Sequence, residues 1–148
     1  MADAKLEAIF RNQMAAYADC DVDRLLDSFT SDCILRDMAD PERPFIGKEA
    51  VRAFLEGYFA TLRDVVVEVT SVAVADGVVI GELEVAAHYV GTPFSEDNYR
   101  PVQLRYCIAE EIRDGYVANE RFYWDSQHLA QQLQYPATTA TGTGPMIS

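Results

Sequence analysis

Glu120, Phe122 and Trp124 occupy alternate positions of the run Tyr116–Trp124, so a strand there carries all three on one face. A carboxylate sharing a face with aromatic rings is costly to bury unless it is paired or protonated. Such a group is a candidate for moving protons to and from a bound molecule. The same sorting puts Tyr106 and Ile108 together in the run 102–112, and Leu83, Val85 and Ala87 together in the run 78–89. Phe54 and Tyr58, four apart in a stretch of helical spacing, share one helix face. These residues either line a cavity suited to a flat apolar molecule or fill a closed core, and spacing alone permits both.

Other chemistry-bearing residues carry local explanations. Asp37 ends a short apolar run just before Asp40-Pro41, where an aspartate serves turn backbone amides. Asp125 immediately precedes a short helical stretch, where it can cap free N–H groups. His88 and His128 are far apart with no second ligand at metal spacing, and Cys20, Cys33 and Cys107 form no metal-like pattern. No metal or cofactor site is expected, and three free thiols point to a reducing, cytoplasmic setting. The chain has no Gly-rich phosphate loop, nucleophile elbow or Cys-His pair, which weighs against phosphoryl and covalent acyl chemistry.

The elements that position these residues follow from periodicity. Leu6, Ile9, Phe10, Met14 and Tyr17 predict a first amphipathic helix. Asp21 predicts the cap of a second, with apolar face Val22, Leu25, Leu26 and Phe29. Residues 33–38 read as a short strand, closed by the turn residues Asp40 to Pro44. A third helix after Gly47 carries Val51, Phe54, Leu55, Tyr58, Phe59 and Leu62. Four strands follow, from Val65, over 78–89, over 102–112 and over 116–124, with Asp76-Gly77 and Asp114-Gly115 as hairpin turns and 91–101 as a loop. A closing helix spans about 126–133. The order α-α-β-α-β-β-β-β-α is an α+β pattern, in one domain over 1–134 with an irregular tail over 135–148.

The 148 residues carry 24 acidic and 12 basic side chains, a net charge of −12. That field repels phosphate backbones and anionic lipid heads, so neither nucleic acid nor membrane is an expected partner. The apolar runs fall short of the ~20 residues that a membrane span needs, and the charged N-terminus has no signal-peptide core.

Four local motifs, in this order, resemble the nuclear-transport-factor-2-like superfamily, in its branch of SnoaL-like polyketide cyclases and ketosteroid isomerases. They are Tyr17-Ala18-Asp19-Cys20-Asp21-Val22-Asp23, Phe45-Ile46-Gly47-Lys48-Glu49-Ala50-Val51-Arg52, Arg113-Asp114-Gly115-Tyr116-Val117 and Phe122-Tyr123-Trp124-Asp125. The resemblance implies a cone-shaped α+β barrel, a curved, mostly antiparallel sheet wrapped around the N-terminal helices. It also implies a pocket at the wide end, with Gln13 and Tyr17 in its lining, and a homodimer through the outer sheet face. Asp37 falls where ketosteroid isomerases carry their general base, and Asp125 where the cyclases carry an acid/base. The isomerases' oxyanion tyrosine and aspartate correspond to Gln13 and Ile108, so that donor pair is missing. The Asp-Arg-Asp relay of limonene-epoxide-hydrolase-like members is absent too, with Phe122 at its last aspartate. The expectation is cofactor-free acid/base isomerisation, cyclisation or dehydration of a hydrophobic carbonyl compound. The alternative is a non-catalytic module of the same fold that binds a small hydrophobic molecule or another protein.

Overall fold

Hairpin chemistry sets the frame of the sheet. Asp76 and Gly77 adopt φ of 53° and 77°, and Asp114 and Gly115 of 55° and 86°, the two consecutive left-handed residues that a tight hairpin of this twist requires. They fold the chain into the antiparallel strands β3 (Leu62–Ala75), β4 (Val78–Tyr89), β5 (Arg100–Arg113) and β6 (Tyr116–Trp124). The computed structural model describes residues 2–134; the tail expected over 135–148 lies outside the described residues.

Ahead of this meander come helices α1 (Asp3–Ala18) and α2 (Val22–Asp27), strands β1 (Phe29–Asp37) and β2 (Phe45–Ile46), and helix α3 (Lys48–Ala60); α4 (Ser126–Gln134) closes the chain. The Asp21 side chain accepts a hydrogen bond from the Arg24 amide at 3.1 Å, capping α2 as expected. The six strands form one sheet in the order β2-β1-β6-β5-β4-β3. All pairs are antiparallel except β1 with β6, whose parallel register sets Leu35 beside Glu120 and Asp37 beside Phe122. Register shifts in β1, β3 and β6 add the local bends by which such a sheet curves. The result is the expected α+β cone, with an unclosed sheet.

Two boundaries and one added strand differ from expectation. Phe29 opens β1 rather than ending the apolar face of α2, and Leu62 opens β3 rather than ending α3. In both places an apolar residue satisfies either period, and pairing with a neighbouring strand decides. The two-residue β2 was not expected, because it is too short to show alternation and follows directly on a Pro-rich turn.

The core lies between the concave sheet face and the helices. Leu6, Phe10 and Met14 of α1 are buried, and α1 packs on β3 and β4. Gly81 makes that approach possible, since a Cβ there would sit 2.3 Å from the ζ carbon of Phe10. On β4, Val79, Leu83, Val85 and Ala87 alternate inward and are buried, in agreement with the period-2 reading. Among the described residues no helix is long and apolar enough to cross a membrane.

Candidate functional site

Two adjoining cavities open inside the cone, sharing Phe54, Tyr58, Tyr106 and Phe122 as walls. The outer one holds about 440 Å³ and is bounded by Asp37, Tyr89, Leu104, Trp124 and Leu129. That volume lies in the range of small-molecule sites. The inner one is a narrow extension of about 50 Å³, reaching Gln13, Tyr17, Ile108 and Glu120. Helix spacing puts Phe54 and Tyr58 of α3 on one wall, and strand alternation puts Tyr106 and Ile108 of β5 and Phe122 of β6 on the other.

Asp37 ends β1 at the outer cavity. Its Oδ1 accepts the indole N–H of Trp124 and the amide of Ala39, both at 2.8 Å. Asp37 is thus both the turn aspartate of the local reading and a cavity residue. Among the described residues no hydrogen bond engages Oδ2, which is left to accept a proton. The same cavity is lined by Tyr58 and Tyr106, and Tyr17 joins them from the inner one. The Tyr58 hydroxyl bonds to those of Tyr17 and of Tyr106, the latter at 2.9 Å. Burial holds all three pKa values well above the ordinary phenol value, with the neighbouring phenols as the next cause. They therefore stay protonated at neutral pH and act as hydrogen-bond donors. Three hydroxyls joined in a chain use two of their protons on each other, which leaves one to offer to a ligand.

Deeper in, the Gln13 Nε2 amide donates to Glu120 Oε1 at 3.1 Å. Opposite Glu120 in the β5–β6 register stands Glu110, wholly buried, with Glu120 and Gln13 as its polar neighbours. Burial pushes both carboxyl pKa values up, and the negative charge of Glu120 adds to the rise at Glu110. Glu110 is the residue that the sequence reading missed. Extending the alternation of Tyr106 and Ile108 by one more step reaches it.

The other candidates separate cleanly. Glu120, Ile108, Tyr106, Phe122, Phe54, Tyr58, Gln13 and Tyr17 border the inner cavity, and Trp124 and Asp37 the outer. Leu83, Val85 and Ala87 face inward but line neither cavity: on β4 the buried residues pack in the closed core beneath α1, so they are core rather than lining. Asp125 is exposed, and its Oδ1 accepts the His128 amide at 3.0 Å; it borders neither cavity. The structure gives it the capping role and removes it from the catalytic set. Gln13 donates an N–H to Glu120, while Tyr17, one helical turn on, supplies a phenol. His88 bonds Asp64 at 2.9 Å and stacks on Tyr99. No group of three or more His, Cys, Asp or Glu is arranged to hold a metal among the described residues.

Residues 10–120 match the model of the SnoaL-like domain. No curated protein matches the chain. Among solved structures, a protein of ketosteroid isomerase-like fold from Catenulispora acidiphila DSM 44928, in complex with trimethylamine, superposes with a TM-score of 0.73 at 20% identity, over 88% of this chain and 95% of its own. A candidate SnoaL-like polyketide cyclase from Jannaschia sp. CCS1 gives 0.78 at 17% identity, over 90% and 94%. An epoxide hydrolase of M. tuberculosis, similar to limonene epoxide hydrolase, gives 0.70 at 15% identity, over 93% and 96%. At these identities the likeness is one of fold.

Proposed function

Because the chain belongs to the SnoaL-like domain family, whose fold carries many chemistries, we propose that its outer cavity is an active site for cofactor-free acid/base chemistry on a hydrophobic carbonyl compound. The observation that carries this reading is that Asp37 shares one apolar cavity with Tyr58 and Tyr106, whose linked hydroxyls continue to that of Tyr17. Asp37 Oδ2 takes a proton from the carbon next to the carbonyl. The electron pair moves onto the carbonyl oxygen, which receives a hydrogen bond from the free hydroxyl of the tyrosine chain. Returning the proton to a different carbon gives isomerisation. Attack of the carbanion on a second carbonyl of the same molecule gives cyclisation, and loss of a β-hydroxyl gives dehydration. The Trp124 indole and Ala39 amide fix the carboxylate, so the base is oriented before substrate enters.

The test follows the first step alone. Wild-type protein in D₂O is expected to exchange the α-protons of a cyclic enone or a polyketide-like 1,3-diketone, as read by proton NMR. Asp37→Asn, isosteric but unable to accept the proton, is expected to lower that rate by about 10²–10⁴. Full exchange in Asp37→Asn would sink the proposal. Binding of these compounds to wild type without any exchange would select the non-catalytic binding module instead. A homodimer through the outer sheet face is part of the same proposal, on the strength of the exposed apolar residues Val66, Ile80 and Tyr123 of β3, β4 and β6. The three free cysteines fit a cytoplasmic setting.

A further inference from the structure

The inner cavity is rich in acceptors and poor in donors. Gln13, 3% exposed, lines it with Oε1 unpartnered. Glu120, 8% exposed, lines it with a carboxylate whose one hydrogen bond comes from Gln13. Directly across the strand pair, Glu110 is 0% exposed, with Glu120 and Gln13 as its polar neighbours. Two carboxyls so placed cannot both ionise without a cation between or beside them. Every ion pair among the described residues engages other carboxylates, so the protein supplies no such cation. Until something else does, protons must neutralise the pair.

The walls beside this acid pair are aromatic. Tyr17, Tyr58 and Phe122 border the same narrow space, and ring faces attract cations, most strongly where water is excluded. The space of about 50 Å³ admits a head group of only a few heavy atoms, while the outer cavity has room for the remainder of a ligand. The net charge of −12 raises the local concentration of cations.

We propose that the inner cavity is a subsite for a protonated amine, a primary or secondary alkylammonium group. Its N–H bonds reach Glu120 and the open Gln13 Oε1, and its charge takes the place of a proton held by the glutamate pair. The subsite goes beyond the proton transfer at Asp37 and does not depend on it: it specifies which end of the ligand enters first, not what happens to the other end.

The test is a calorimetric titration of the intact protein with benzylammonium chloride and with benzyl alcohol, which share a ring and differ in charge. Wild type is expected to bind benzylammonium about tenfold or more tighter than benzyl alcohol. Glu120→Gln keeps size and shape but removes the charge. It is expected to weaken benzylammonium by about tenfold and to change benzyl alcohol by less than about twofold. If Glu120→Gln does not give the wild-type circular dichroism spectrum, Gln13→Met replaces it, with an expected loss of about threefold for the ammonium alone. Equal affinity for the two ligands, absence of benzylammonium binding, or indifference of the folded variant overturns the proposal. The amine subsite is read by benzylammonium affinity in Glu120→Gln and the Asp37 chemistry by α-proton exchange in Asp37→Asn, so the two fail by separate readouts.

Discussion

Glu110 and Glu120 face each other across β5 and β6 without a counter-cation, and their pKa values are raised in the folded chain. The sign of the consequence is fixed. The folded state holds protons that the unfolded chain releases above the ordinary glutamate value of about 4.3. The pair's contribution to stability is therefore complete below that pH and is lost as pH rises through the raised values. Glu110→Gln removes one titrating group and gives Glu120 an amide donor. Thermal melts from pH 4 to 9 are expected to show a flatter profile for this variant, and at neutral pH a gain of about 1–3 kcal/mol. A profile as steep as that of wild type would place the titration elsewhere. The pair was half legible: alternation from Phe122 and Trp124 exposed Glu120 as an anomaly, but its partner lies on another strand. Only the register identifies that partner.

Helix α4 shows how an element can claim a residue that chemistry also suggests. Asp125 precedes Ser126–Gln134 and bonds the His128 amide, as an N-cap does. Asp125→Ala is expected to lower stability by about 1 kcal/mol in chemical denaturation while leaving the α-proton exchange rate within about twofold of wild type, because the side chain borders neither cavity. A loss of exchange comparable to that of Asp37→Asn would return Asp125 to the active site. The same competition runs the other way at Asp37, where a strand-end turn and a cavity carboxylate are one residue. The helix and strand periods, the Asp-Gly turns and the Asp21 cap made most elements readable in advance. Periodicity alone extends the helices to Phe29 and Leu62, because single apolar residues at a boundary fit both periods.

Among the described residues the helices pack against the concave face of the sheet, and none covers the convex face. Val66, Ile80 and Tyr123 are exposed there among charged residues such as the paired Arg105 and Glu84, a composition suited to an interface. Analytical ultracentrifugation is expected to find a dimer, and Ile80→Lys to weaken its association by at least about tenfold. The side chain points away from the cavities, so exchange at Asp37 is expected to survive unless the dimer shapes the pocket. A monomeric wild type would remove the outer face from consideration.

The sequence by itself determined the α+β class, the hairpins, the sorting of inward from outward residues on β4, β5 and β6, and the family that the motifs resemble. These follow from interactions between near neighbours, which spacing records directly. The tertiary structure decided three other matters: that Leu83, Val85 and Ala87 are core rather than cavity wall, that Tyr17, Tyr58 and Tyr106 join hydroxyls from three elements, and that Glu110 stands against Glu120. Each depends on how far α1 and α3 approach the curved sheet, and on strand register. Distances between side chains so far apart in the chain leave no trace in its local periodicity, because the packing of the whole core sets them.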